Sequence, residues 1–229
     1  MTADVAPAER FTVVCDLDGT LVDSAPDLWA ALDTVLAEQG IPAVPFEEIR
    51  HLVGAGALAL IERALARSGA SGRSDVPELF ERFLDVYRSR LTRESRPFPD
   101  VAGTLGGLAG RGHPLAVCTN KPESLARRML DELGLPWFGD AVVGGDTFPW
   151  CKPDRRTLEA AVARAGGNLE RSVLVGDSRT DVETARNAGV PAILVSYGYR
   201  TDPIEALAPD YVVDEFGAVE GIVRRIDGI

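Results

Sequence analysis

Lysine is almost missing from this 229-residue chain: Lys121 and Lys152 are its only two, beside 22 arginines. With so few, the place of each lysine carries information. Cysteine is scarce and odd in number, and Cys15, Cys118 and Cys151 lack metal-ligand spacing, which argues against a thiolate metal site. Cys15 and Cys118 fall in apolar, strand-like runs and read as buried thiols. No apolar run is long enough to span a bilayer, and the first ten residues have no apolar signal core. A cytoplasmic protein with no membrane partner is expected. Positive charge is in deficit: the net charge of −11 would repel a phosphate backbone, which excludes nucleic acid as a partner. An anionic substrate would have to be met by local positive charge or a metal. There is no internal repeat and no low-complexity segment. What remains, 45% hydrophobic and 26% charged residues, is the composition of an ordinary globular chain of one large or two small domains.

The stretch Phe11-Thr12-Val13-Val14-Cys15 is apolar and β-branched, the signature of a buried strand, and it ends in Asp16-Leu17-Asp18-Gly19-Thr20. From Ser24 to about Arg96 the pattern is helical, with no strand. Ser24 is placed as an N-cap with Asp27 near the helix dipole, and Leu28, Leu32, Val35 and Leu36 mark one face. A helix over 46–53 ends at Gly54-Ala55-Gly56. A third helix carries Leu58, Ile61 and Leu65 inward, and a fourth carries Leu79, Phe83, Leu84 and Tyr87. Beyond Arg96-Pro97-Phe98-Pro99 strand and helix alternate. Strands are expected at 115–118, 141–143, 172–175 and 192–195, with helices near 101–110, 123–133, 156–165 and 180–187. Such alternation predicts parallel crossovers, hence an α/β fold with a doubly wound, Rossmann-like, mostly parallel sheet. The expected domains are an α/β core of 1–23 and 97–229 and an inserted helical cap of 24–96.

Ligands of open α/β sheets sit outside the carboxyl ends of the strands. Those ends carry Asp16 and Asp18, then Thr119-Asn120-Lys121, then Gly144-Gly145-Asp146 followed by Lys152-Pro153, then Gly176-Asp177-Ser178 with Asp181 one turn later. Each has an ordinary reading: Asp16 or Asp18 as a turn residue, Thr119 as a strand end, Lys152 as a solvated loop lysine, Asp181 as a capping-box acid. Four such coincidences at one sheet edge describe a metal and phosphate constellation instead.

The order of these motifs, Asp16-Leu17-Asp18-Gly19-Thr20-Leu21, Thr119, Lys152-Pro153 and Gly176-Asp177-Ser178-Arg179-Thr180-Asp181, resembles the haloacid dehalogenase-like superfamily of phosphohydrolases over nearly the whole chain. Within it, Leu21-Val22-Asp23-Ser24, Val53-Gly54-Ala55-Gly56, Thr119-Asn120-Lys121-Pro122 and Ser196-Tyr197-Gly198-Tyr199 are most similar to the branch that hydrolyses 2-phosphoglycolate. Ala55, Arg155-Arg156 and Thr180 depart from that branch's usual residues. The resemblance implies a phosphatase acting on a small phosphorylated metabolite, with Asp16 as nucleophile through an aspartyl-phosphate and Asp18 as acid and base. It implies Mg²⁺ on Asp16, the Asp18 carbonyl and Asp177, with Asp181 orienting metal-bound water. A carboxylate and a phosphate charge about 4 Å apart repel by roughly 4 kcal/mol at an effective dielectric near 20, which is why a metal is needed. Substrate contacts are expected from Thr119, Asn120, Lys152, Gly54, Gly56 and Arg63; the alternative for Arg63 is a surface helix arginine. Two rivals share parts of this pattern. A phosphosugar mutase of the same superfamily differs in the fate of the phosphoenzyme. A phospho-receiver module has its acceptor on an internal strand and no helical insertion after the first. Monomer and dimer are both open.

Overall fold

In the computed structural model, which describes residues 10–72 and 75–228, the run Thr12–Cys15 forms β1 and is buried throughout, as a strand covered on both faces requires. The first nine residues, part of the stretch read above for a signal core, lie outside the described residues. After β1 come β2 (Val22–Asp23), α1 (Ala25–Glu38), α2 (Phe46–Ile49), α3 (Ala57–Arg67), α4 (Val76–Arg88) and β3 (Arg96–Pro97). Then follow α5 (Val101–Gly110), β4 (Leu115–Cys118), α6 (Glu123–Glu132), β5 (Val142–Val143), α7 (Arg155–Arg164) and β6 (Ser172–Gly176). The chain closes with α8 (Arg179–Ala188), β7 (Ala192–Val195), α9 (Ile204–Leu207), β8 (Tyr211–Val213) and α10 (Val219–Asp227).

Six strands form one sheet in the order β5-β4-β1-β6-β7-β8, and every pairing in it is parallel. The sheet grows outward from β1 to β5, then the chain returns across β1 to start β6. The strand order therefore reverses between β1 and β6, the place where a ligand crevice opens. Register puts Cys15 beside Val175, and the Asp16 N–H donates to the Val175 carbonyl at 2.9 Å. Asp16 and Asp177 thus leave the sheet as neighbours. Alternation divides the core: Val13, Cys15, Val117 and Val175 pack with Leu105, Met129 and Val223 on one face. Val14, Ala116, Cys118 and Leu174 pack with Leu158, Ala161 and Val182 on the other.

Four helices, α1 to α4, lie in the chain between β2 and β3, with α4 packed on α1 and α3. α4 starts where Asp75 accepts the Glu78 N–H at 3.2 Å, and it buries Leu79, Phe83, Leu84 and Tyr87 at helical spacing. Burying a side chain such as Phe83 contributes on the order of 2 kcal/mol. Two expectations need correcting. The helix expected over 46–53 stops at Ile49, and turns continue to Leu52; a single turn gains too little from its own hydrogen bonds to propagate. Leu58, expected to face inward, sits in the first turn of α3 and is 46% exposed, while the buried stripe is Leu60, Ile61, Ala64 and Leu65.

The two chain crossings between these helices and the large sheet are tied together. β2 and β3 pair antiparallel, Val22 with Pro97 and Asp23 with Arg96. Asp27, expected only to complement a helix dipole, is fully buried and makes a second tie. Its Oδ2 accepts the Glu94 and Ser95 N–H groups at 2.8 Å each and the Ser95 hydroxyl at 2.7 Å. Replacing it strands two backbone donors, while the Ser95 hydroxyl keeps the Leu91 carbonyl at 3.3 Å, so Asp27→Ala is expected to cost about 2–3 kcal/mol of stability, read as a lower urea midpoint with unchanged slope.

Candidate active site

The turn after β1 is built on the Leu17 carbonyl, which accepts the N–H groups of Leu21 and Val22 at 3.0 Å. Gly19 holds a φ of +87°, and a Cβ there would lie 2.5 Å from Asp177 Oδ2. Only glycine lets the turn pass so close to that carboxylate. Asp16, 5% exposed, points its Oδ1 at Lys152 Nζ, 2.9 Å away, yet this oxygen has no directed hydrogen bond among the described residues. Lys152 Nζ also donates to Asp181 Oδ1 at 2.6 Å.

Asp181 serves helix and site together. Its Oδ2 accepts the Ser178 N–H at 3.0 Å and hydroxyl at 2.6 Å, and the Asp177 N–H at 3.2 Å. The capping reading of Asp181 is therefore true but partial, because its other oxygen faces Lys152. Asp177 accepts the Tyr199 N–H on Oδ2 at 2.6 Å and the Thr20 hydroxyl on Oδ1 at 3.2 Å. Glycines make the room. A Cβ on Gly198 would sit 2.1 Å from the Asp177 Cβ, and one on Gly176 would sit 2.3 Å from the Asp181 Cβ.

Oxygens of Asp16, Asp177 and Asp181 all lie within 4.8 Å of one another. Burial pushes the Asp16 carboxyl up to about 6; Lys152 works against that rise and Asp181 adds to it. Burial, then Asp181 and Asp16, hold Asp177 well above the ordinary carboxylate range. Burial would lower the Lys152 ammonium, but Asp16 and Asp181 outweigh it and the group stays charged. One ammonium is thus set against three buried carboxyls, which leaves the cluster with excess negative charge. An all-oxygen, electron-rich set of three buried carboxyls fits a hard divalent cation. The nearby thiols are inert: burial raises Cys118 to about 11 and Cys15 further still.

Asp18 stands apart from this cluster. Its carboxylate accepts from Lys121 Nζ at 2.9 and 3.1 Å and from the Ser24 hydroxyl at 2.6 Å. Ser24 does precede α1, but its hydroxyl makes no capping bond. Thr119 is buried beyond β4, and its Oγ1 accepts the Lys121 N–H at 3.3 Å. Asn120 is occupied by backbone: Oδ1 accepts the Lys152 N–H at 3.0 Å, and Nδ2 donates to the Gly54 carbonyl at 3.3 Å. It braces the lysine loop against the turn of the inserted helices, where Gly54 and Gly56 have φ of +114° and +89°.

Two clefts meet here. One is lined by Asp16, Asp18, Thr119 and Lys121 on the sheet side and by Gly54, Gly56, Phe83 and Tyr87 on the helical side. The other holds Asp177 and Ser178 with Arg63, Arg179 and Arg200. Arg63 is exposed in that outer cleft and donates to the Leu52 carbonyl at 2.9 Å, away from Asp18 and Thr119. The structure therefore brings together Asp16, Asp18, Thr119, Lys152, Asp177 and Asp181, and leaves Arg63 outside the inner cleft. Lys121, Tyr87, Ser24 and Thr20 are the side chains that sequence reasoning did not place in the site. The rarity of lysine was a signal for the first of them.

A family model described as haloacid dehalogenase-like hydrolase matches residues 13–195. The phosphoglycolate phosphatase of Caulobacter vibrioides is 48% identical over 206 residues, covering 90% of this chain and 87% of that relative. The phosphoglycolate phosphatase of Agrobacterium fabrum is 45% identical over 207 residues, covering 90% and 89%. A crystal structure described as a predicted phosphoglycolate phosphatase from Haemophilus somnus superposes with a TM-score of 0.86 at 29% identity, covering 93% of this chain and 98% of that one.

Proposed function

The chain belongs to the haloacid dehalogenase-like hydrolases, and from that premise we propose that it hydrolyses 2-phosphoglycolate through an aspartyl-phosphate on Asp16. The observation that carries this reading is the Asp16 carboxylate, buried at the end of β1 and lining the inner cleft, with Lys152 Nζ 2.9 Å from its Oδ1. A carboxylate at the cleft wall, steadied by one fixed cation, is what a nucleophile requires.

Asp16 attacks phosphorus, the bond from phosphorus to the leaving oxygen breaks, and that oxygen takes a proton from Asp18. Asp18, now a base, takes a proton from water as the water oxygen attacks the same phosphorus and Asp16 departs. Lys152 and Thr119 face the phosphoryl oxygens, Lys152 as the fixed positive charge and Thr119 as a hydroxyl donor. A divalent cation, proposed to be Mg²⁺, would be held by Asp16, the Asp18 carbonyl and Asp177 with Asp181 beside it, and supplies charge that offsets the repulsion between carboxylate and phosphate. The helices α1 to α4 act as the cap: Gly54, Gly56 and the apolar side chains of α4 shut the inner cleft against water, and Asn120 braces the contact. Arg63 lines the outer cleft and meets substrate only from that side.

The relatives at 45–48% identity that carry the phosphoglycolate phosphatase name support a two-carbon leaving group, and the apolar side chains lining the inner cleft, Leu28, Leu60, Phe83 and Leu84, offer a sugar's hydroxyls few partners. Across a panel of phosphomonoesters with Mg²⁺, kcat/KM for 2-phosphoglycolate is expected to exceed that for hexose phosphates by at least about tenfold. A hexose phosphate at the head of that panel would remove the substrate and leave the mechanism.

A further inference from the structure

Both lysines of the chain are buried in this one site, one against each acid of Asp16-Leu17-Asp18. The reaction as proposed uses Lys152 and leaves Lys121 without a task. Its side chain is 3% exposed, and a buried ammonium needs partners to stay charged. It has them in full: two contacts go to the Asp18 oxygens, at 2.9 and 3.1 Å, and a third to the Tyr87 hydroxyl at 2.6 Å. That spends the three donors an ammonium has. Nζ also lies 4.5 Å from the centre of the Tyr87 ring, and Leu28, Phe83 and Leu84 line the same cleft, so the ion pair works in weakly polar surroundings.

Ser24 fixes one oxygen of Asp18, but a single short hydroxyl leaves the carboxylate free to swing about it. Lys121 grips both oxygens and holds the carboxylate at the wall of the inner cleft, which Asp16 also lines. Lys121 in turn is held by Tyr87, which belongs to α4 and not to the sheet. We propose that Lys121 is the positioning residue of Asp18, and that Tyr87 sets Lys121, so that seating of the cap helix places the acid at the leaving oxygen. This rests on the reading of Asp18 as the acid and base.

The test separates positioning of an acid from general damage by varying the leaving group. Lys121→Met keeps the stem and removes the donor; Tyr87→Phe keeps the ring and removes the hydroxyl. Glycolate release from 2-phosphoglycolate in a single turnover needs a proton on the leaving oxygen. The p-nitrophenolate burst from p-nitrophenyl phosphate does not. Glycolate release is expected to fall about 100-fold in Lys121→Met and about 10-fold in Tyr87→Phe, with the p-nitrophenolate burst within about threefold of wild type in both. Equal losses on the two substrates, or none on either, would overturn the proposal. Asp18→Asn is measured beside them. If it shows the leaving-group contrast while Lys121→Met does not, positioning by Lys121 is wrong and the acid stands. If Asp18→Asn itself shows no contrast, the reading of Asp18 fails and the proposal with it.

Discussion

Asp16→Asn is expected to lower kcat on every phosphomonoester by about 10⁴- to 10⁶-fold, the loss that follows removal of a covalent nucleophile. An amide of the same shape fits the pocket, so the fold has no steric reason to fail. The stability change should in fact have the opposite sign to the activity change. Burial raises the Asp16 carboxyl to about 6, which means that its ionised form is less favoured in the folded chain than in the unfolded one. In the metal-free protein this carboxyl therefore contributes stability at low pH, present below its ordinary value and lost as pH rises through about 6. At pH 8 the asparagine variant escapes that loss, and its Tm without metal should equal or exceed that of wild type. An inactive variant with a depressed Tm at pH 8 would point to misfolding in place of a missing nucleophile. The trade between stability and activity is common where catalysis needs a charge held out of water.

Lys152→Met is expected to damage both properties. The ammonium is 1% exposed and lies 2.9 Å from Asp16 and 2.6 Å from Asp181. Removing one partner of a buried pair typically costs about 3–5 kcal/mol, because the charge left behind has neither water nor a counter-ion. Here two carboxylates are abandoned, and Asp177 is close by. They can escape by taking up protons, which fixes the sign of the pH dependence. With Lys152 gone Asp16 and Asp177 rise further, so the variant is closest to wild type near pH 5 and loses stability as pH rises toward 8. A divalent cation replaces part of the missing charge, so Mg²⁺ should raise the variant's Tm more than that of wild type at pH 8. Phosphatase activity should fall about 10²- to 10³-fold, as expected for loss of one fixed charge on the transferred group. Thermal scans at pH 5 and pH 8, with Mg²⁺ or a chelator, check all of this. A uniform Tm loss at both pH values would show that Lys152 acts by packing alone.

Legibility of these features in the sequence follows physical scale. Val13-Val14-Cys15 and Ser172-Val173-Leu174-Val175 announce themselves because strands buried on both faces must be apolar at every position. The pair β2 and β3 is too short to show alternation, and Pro97 argues against a strand, although an isolated edge pairing tolerates it. Tyr211-Val212-Val213 went unread because the strand is three residues long and Val212 is 45% exposed. The acids at the strand ends were legible because Asp-x-Asp closing an apolar run has no packing purpose. Tyr87 was not, since its spacing on α4 is that of a core residue, and it is one; the hydroxyl alone belongs to the site. Asp27 was hidden in the same way. A carboxylate in a first turn suits the helix dipole, and its bonds to Glu94 and Ser95 exist only once the chain has returned. Arg63 is the reverse case, a plausible cation whose helix carries it to the outer cleft.

The most direct measurement asks where the phosphoryl group goes. Asp18→Asn is mixed with p-nitrophenyl phosphate and Mg²⁺, quenched in acid during the burst, digested, and mapped by mass. p-Nitrophenolate leaves without a proton, so the first half of the reaction proceeds; the second half lacks its base and stalls. The account predicts one phosphoryl group per chain, on the peptide that carries Asp16, and none in Asp16→Asn treated alike. A phosphoryl group on any other residue would contradict it, as would p-nitrophenolate released from a chain that never carries one.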